Sequence, residues 1–352
     1  QNSKMTQAIT SPNQFTIVGE NIHATRIVLR NGRKAVKLED GSEAIPFTDT
    51  SGAQRHLTIP DWFKRTQPYQ QGQIKHFMIA MMKGISDDHE EQKEGRAYLH
   101  QEIVKQVDAG AQYLDINVDE IHYDLDIQKR AMRWAVDTVQ ALSPIPPSID
   151  SSNSVIIAEG LAAYDGRAGR PIINSVSPER PETLDMAVST DARVIIMATS
   201  VSGMPQDSNE RVENAIALVD QVVERGISGK DIFIDAIIFP ISVDGQNGNH
   251  YFEAVRCLRE KFGDEIHIGR IDFKSEEGLA LARQLVVVKG DDGDSSGLGL
   301  DLRARFLWFI GLDYSATNLA DTEAVWGTSP YRLSLMLHLV TSEHFGLHLS
   351  PG

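Results

Sequence analysis

From about residue 100 to residue 270 the chain alternates between two patterns. Short apolar runs end in polar residues, and longer stretches follow in which apolar positions recur at helical spacing. The runs are Tyr113–Val118, Pro147–Asp150, Pro171–Ser175, Ala192–Met197, Asp231–Asp235 and Glu265–Ile268, and Phe15–Val18 upstream has the same character. Helical patterns fall at Tyr98–Ala109, Ile127–Ala141, Val155–Ala163, Asn209–Arg225 and Tyr251–Phe262. Gly110 and Gly226 follow two of them, as glycine does at helix C-termini. Strands alternating with helices predict right-handed βαβ units on a parallel sheet. Seven strands are visible, and Leu285–Val288 or Phe306–Ile310 would supply the eighth. The expected fold is α/β, a (β/α)8 TIM barrel with an insertion after the first strand. A doubly wound sheet is the alternative. It would carry a glycine-rich phosphate turn after an early strand, and Gly19-Glu20-Asn21-Ile22 is not one.

Two regions break this rhythm. Residues 26–86 are too long for a simple βα connection: Val36–Phe47 reads as a hairpin turning at Asp40-Gly41, and Ile74–Met82 as a short helix. Trp62, Phe63, Phe77 and Met78 make this insertion either a small packed subdomain or a cover for the barrel mouth. Residues 270–352 are irregular in pattern, with an acidic, loop-like stretch at 289–299. The expected organisation is a single barrel domain over 1–352, with 26–86 as a hairpin and helix insertion.

Composition narrows the function classes. With 34 Lys+Arg against 49 Asp+Glu, the 352-residue chain carries a formal charge of −15, which excludes a general nucleic-acid or anionic-membrane binder. One cysteine, Cys257, excludes an internal disulfide framework and a cysteine-based zinc cluster; it falls in a helical pattern and reads as a buried apolar residue. No run reaches the ~18 apolar residues of a membrane span. Residues 1–10 lack a basic stretch followed by an apolar one, so a cytoplasmic protein is expected.

The chemistry concentrates where strands end. Glu20 and Asn21, Asp115 and Asn117, Asp150 and Asn153, Asn174 and Ser175, and Asp235 all sit at the ends of apolar runs. In a barrel that end is the catalytic mouth. Any one of these residues could simply cap a strand or a helix. Recurrence on five strands points to a polar binding site. Carboxylates and amides without clustered Lys or Arg suit a ligand rich in N–H donors, such as a pterin ring or a carbohydrate, and suit a phosphorylated substrate poorly. They could also hold a hard divalent cation, but no histidine pairing supports zinc, and no metal is expected. His23 and His122 fall near strand ends, where a lone histidine is more often structural than catalytic.

Gly19-Glu-Asn-Ile-His23, Leu114-Asp-Ile-Asn-Val118, Ile149-Asp-Ser-Ser-Asn153, Ile173-Asn-Ser-Val-Ser177 and Ile234-Asp235 together resemble the strand-end motifs of the pterin-binding barrels. That superfamily includes dihydropteroate synthase and the methyltetrahydrofolate–corrinoid methyltransferases. Val201-Ser-Gly-Met-Pro205 and Phe239-Pro240 are similar to the methyltransferase branch. The likeness covers about residues 15–25 and 98–269.

The resemblance implies methyl transfer between N5 of tetrahydrofolate and the cobalt of a corrinoid supplied by a partner protein. In that branch an Asp on the third strand, an Asn on the fourth and an Asp on the sixth grip the pterin, and these match Asp150, Asn174 and Asp235. Asn117 and Ser175 would line the same wall. The family's Gly-x-Ser-Asn motif after strand seven, whose Asn reaches N5, is replaced by Gly269-Arg-Ile-Asp272, which leaves Asp272 as the catalytic candidate. Homodimerisation is implied by resemblance alone. Two other readings stay open: a non-catalytic folate-binding or scaffold subunit of a methyltransfer complex, and dihydropteroate synthase, whose late basic motif this chain lacks.

Overall fold

A computed structural model describes residues 16–239 and 243–268. They divide into two compact units, Thr16–Ser175 with Glu182–Val194, and Val176–Pro181 with the stretch from Ile195 onward. Gly269, Asp272, both candidate eighth strands and the whole of 270–352 lie outside the described residues.

The first unit opens with β1 (Val18–His23), followed by β2 (Ile27–Leu29), β3 (Val36–Lys37), β4 (Glu43–Thr48), β5 (Gln54–Thr58), α1 (Asp61–Lys64), α2 (Gln67–Gln70) and β6 (Gln73–Lys75). Larger elements come next: α3 (His76–Gly84), α4 (His89–Asp108), β7 (Tyr113–Asn117), α5 (Leu125–Leu142), β8 (Pro147–Asp150), α6 (Ser154–Ala163), β9 (Ile172–Val176) and α7 (Glu182–Thr190). Strands β1, β7, β8 and β9 lie side by side in that order, every pair parallel. The alternation of strands and helices therefore does produce an α/β fold on parallel strands.

The expected hairpin turns at Asp40-Gly41, where Gly41 takes φ 85°. Its strands are β3 and β4, and β5 adds a third antiparallel partner. β2 and β6 form a separate antiparallel ribbon. Phe63, Leu57, Ile74 and Phe77 are buried in this region. Helix α3 packs so closely on α4 that a side chain at Gly95 would meet the Ala80 carbonyl oxygen at 2.3 Å.

Several elements differ from the sequence pattern. Helix α4 begins at His89 rather than Tyr98, because Asp88 caps it by accepting the Glu90 and Glu91 N–H groups. Its first turns are polar, so hydrophobic spacing is silent there. Helix α7 is short and buries only Thr183, Leu184 and Ala187. β1 runs from Val18 to His23, not over 15–18: its register against β7 shifts between Gly19 and Ile22, and this irregularity carries the strand through the polar Glu20-Asn21 pair.

The second unit holds Ile195–Met197 of β10 (Arg193–Met197), then β11 (Ile232–Asp235) and β12 (His267–Ile268), with β11 and β12 parallel. Helix α8 (Ser208–Glu224) connects β10 to β11, and α9 (Gln246–Phe262) connects β11 to β12. Cys257 on α9 is half-buried rather than buried, with its thiol 3.6 Å from a Glu253 carboxylate oxygen.

Candidate functional site

In the first unit the sheet has one apolar and one polar face. Ile22, Ile116, Ile149 and Ile173 are partners across the four strands, and all are fully buried. Ile149 lies against Gly160 of α6, where a side chain would meet its Cγ2 at 2.7 Å, so this face is the one that carries helices. The next residue along each strand points to the opposite face. Those residues are His23, Asn117, Asp150 and Asn174, again mutual partners across β1, β7, β8 and β9. Four polar side chains thus stand in one row at the C-terminal ends of four parallel strands.

A second polar layer lies two residues below. Asp115, fully buried, accepts the Ser148 hydroxyl at 2.6 Å and the Asn174 Nδ2 at 3.2 Å, both through Oδ1. The Asn174 amide is therefore oriented with its nitrogen toward Asp115, which leaves Oδ1 as the end that can accept from a ligand. Asn117 gives Nδ2 to Asp150 Oδ2 at 2.8 Å and accepts the Asp119 N–H on Oδ1 at 2.8 Å. Both ends of Asn117 are engaged by protein groups, so it serves as a support for Asp150. Asp119 accepts the Ser151 hydroxyl at 2.6 Å and the Ser152 N–H at 2.8 Å, which ties the loop after β8 to the loop after β7.

The other expected site residues fall elsewhere. Asn21 gives its Nδ2 to Glu102 of α4 at 2.8 Å, and its backbone N–H to Gln106 Oε1 at 3.2 Å. Glu20 is buried inside β1, with its carbonyl oxygen taking the Arg26 guanidinium at 2.6 Å and 3.1 Å. Asn153 is the N-cap of α6, accepting the Val155 N–H at 2.9 Å. Ser175 is buried near the end of β9. His122 accepts the Asp124 N–H at 3.0 Å and stacks on Tyr123, which is 94% exposed. In place of Glu20 and Asn21, the longer β1 brings His23 into the row. Ser148 and Asp119 were not expected. Ser148 was recoverable, since it stands two residues before Asp150 as Asp115 stands two before Asn117.

In the second unit Asp235 ends β11 and its Oδ1 accepts the Ile237 N–H at 2.9 Å. Ile237 is held at φ 56°, a left-handed conformation that costs a β-branched residue energy. Its carbonyl takes Nε of the fully buried Arg211 at 3.1 Å, and Arg211 also donates to the Asp207 carbonyl at 2.8 Å. Burial pushes the Arg211 guanidinium down from its ordinary value, against the attraction of Asp207 and Glu210. Among the described residues no group of three or more His, Cys, Asp or Glu is placed to hold a metal ion. No described helix is long and apolar enough to cross a membrane.

Residues 86–277, more than half of the chain, match the family of pterin-binding enzymes. The chain belongs to that family. The matched span contains Asn117, Asp150, Asn174 and Asp235 and leaves β1 outside. Among curated proteins, this pterin-binding family member is 24% identical over 184 residues to a methylcorrinoid:tetrahydrofolate methyltransferase of Eubacterium limosum, covering 50% of this chain and 65% of that one. It is 25% identical over 167 residues to a methionine synthase of Mycobacterium tuberculosis, covering 44% of this chain and 14% of that one. The match therefore spans less than two thirds of either relative. Among solved structures, dihydropteroate synthase of Yersinia pestis aligns at 19% identity with a TM-score of 0.37, over 59% of this chain and 80% of that chain.

Proposed function

We propose that this chain binds the pterin of a tetrahydrofolate and serves methyl transfer between its N5 and the cobalt of a corrinoid carried by a partner protein. The observation that carries the reading is the row at the strand ends. Asp150 and Asn174, neighbours across β8 and β9, each present an acceptor on the same sheet face. A pterin edge offers a matching set of donors, its 2-amino group and ring N–H. Each acceptor has its own support, Asn117 behind Asp150 and Asp115 behind Asn174. Such preorganisation lets a site bind without reorganising side chains. The names of the two curated relatives support the methyl-transfer chemistry. In the forward direction the electron pair of the partner's Co(I) would form the cobalt–methyl bond as the N5–methyl bond breaks; the pair of the broken bond stays on N5, which takes up one proton from solvent to leave tetrahydrofolate.

Calorimetric titration with methyltetrahydrofolate tests the binding. Asp150→Ala and Asn174→Ala are each expected to weaken it about tenfold or more, since a buried donor edge then loses its partner. An intact protein that does not bind, or two variants that bind as tightly as the parent, would sink the reading. Methyl transfer to free cob(I)alamin, followed by the corrinoid spectrum, separates an enzyme from a folate-binding subunit.

A further inference from the structure

We infer that His23 is a positioning residue for Asp150, an inference that rests on the pterin reading above. His23 occupies the row's place on β1, and its Nε2 lies 3.5 Å from Asp150 Oδ2. That oxygen already takes the Asn117 amide at 2.8 Å. His23 Nε2 and the Asn117 amide approach that one oxygen from β1 and β7, and a formed bond from each narrows the directions in which the carboxylate can turn.

The other nitrogen of the imidazole has a partner as well. Thr25 Oγ1 sits 2.7 Å from His23 Nδ1. When the Thr25 hydroxyl donates to Nδ1, Nε2 carries a hydrogen and turns it to the carboxylate. The reverse arrangement would set a bare nitrogen lone pair against a carboxylate oxygen, which is repulsive. The Thr25 hydroxyl can donate to Nδ1 and so accommodates the tautomer in which Nε2 is a donor to the carboxylate. The backbone around His23 is held as well: Ala24 N–H bonds the Asn117 carbonyl at 2.9 Å, and Arg26 N–H bonds the His23 carbonyl at 3.1 Å. The Arg26 guanidinium grips the Glu20 carbonyl from the other side of the turn. At 3.5 Å the His23–Asp150 contact is longer than a formed hydrogen bond, and such contacts tighten when a ligand completes a site.

The side chains are 22% exposed for His23 and 19% for Asp150, so both reach the open side of the row. Asn117 beneath them is 5% exposed. His23 is therefore the supporting group that a bound ligand can also touch.

The test is methyltetrahydrofolate calorimetry on the full chain and two variants. His23→Phe removes the donor and is expected to weaken binding about tenfold, while His23→Gln restores an N–H and is expected within about threefold of the parent. A purely structural role would not be rescued by that exchange. His23→Phe binding like the parent, or His23→Gln as weak as His23→Phe, would overturn the inference and leave the pterin reading standing. A parent protein that does not bind would overturn the reading and the inference together. Should His23→Phe fail to fold, imidazole nitrogen NMR of the ligand-free protein decides. Asp150→Asn is expected to move the His23 Nε2 resonance, and an unmoved resonance overturns the inference.

Discussion

Asn117 bridges two strand-end loops through a single side chain: its Nδ2 donates to Asp150 Oδ2 and its Oδ1 accepts the Asp119 N–H, each at 2.8 Å. Asn117→Asp keeps the shape and the acceptor but sets a carboxylate against a carboxylate. Folate binding is expected to fall about tenfold or more at neutral pH, with the loss easing under acid as the two groups come to share a proton. Asn117→Ala is expected to cost about 1–2 kcal/mol of folding stability, measured by denaturant unfolding.

Asp115 lies beneath that bridge, fully buried, and is the acceptor for both Ser148 and Asn174. Asp115→Ala leaves a hydroxyl and an amide facing a dry gap. A stability loss of about 2–3 kcal/mol is expected. Affinity for folate is expected to fall with it, because Asn174 loses the contact that orients its amide. Ser148→Ala is expected to cost about 1 kcal/mol and to leave affinity nearly unchanged, which separates the two effects.

The parallel α/β architecture and the placing of Asp150 and Asn174 at strand ends were legible because period-2 alternation and a polar strand end are local signals. Asn153 was legible in two ways, and as the N-cap of α6 it takes the local one. Glu20, Asn21 and His23 were legible as residues near a strand end, but the course of β1 through them was not. A register shift between Gly19 and Ile22 depends on where Gln106 of α4 meets the strand, and that contact is 85 residues away in sequence. Asp119 was hidden for a similar reason, since its partners Ser151 and Ser152 belong to the next βα connection. Residues after Gly269, and Asp272 among them, lie outside the described structure.

Gly160 sits behind the site on α6, where an added methyl would lie 2.7 Å from Ile149 Cγ2 and 3.2 Å from Met132. Ile149 is the residue immediately before Asp150. Gly160→Ala gains helix propensity but overpacks this contact, and a net loss of about 1–3 kcal/mol is expected by thermal or denaturant unfolding. A neutral or stabilised variant would mean that α6 can back away from β8 without cost.

Acid stability is expected to depend on His76. Burial, helped by the nearby charges of Lys34 and Arg26, lowers its pKa from 6.5 to about 3. Its Nδ1 lies 2.9 Å from the Tyr98 hydroxyl, whose own ionisation burial pushes up, so the hydroxyl keeps its hydrogen and donates to the neutral ring. The folded state then binds fewer protons than the unfolded state between pH 6.5 and about 3. The contribution is complete above the unfolded value and is lost as pH falls through that window. The slope is at most ~1.4 kcal/mol per pH unit. His76→Gln retains an acceptor for Tyr98 and cannot titrate, so its unfolding free energy is expected to fall less steeply between pH 6 and pH 4, roughly the middle of this window.

The row of His23, Asn117, Asp150 and Asn174 alternates with a row of four isoleucines one residue earlier on the same strands. A slip of one residue in any strand would exchange a member of one row for a member of the other. Ligand affinity is thus a readout of pairing fidelity: a chain that closes its sheet one step out can still be compact and helical, yet it would offer methyltetrahydrofolate a hydrocarbon where an acceptor belongs. Binding-competent fraction, more than secondary-structure content, is then the measure of correctly assembled protein in any refolded preparation.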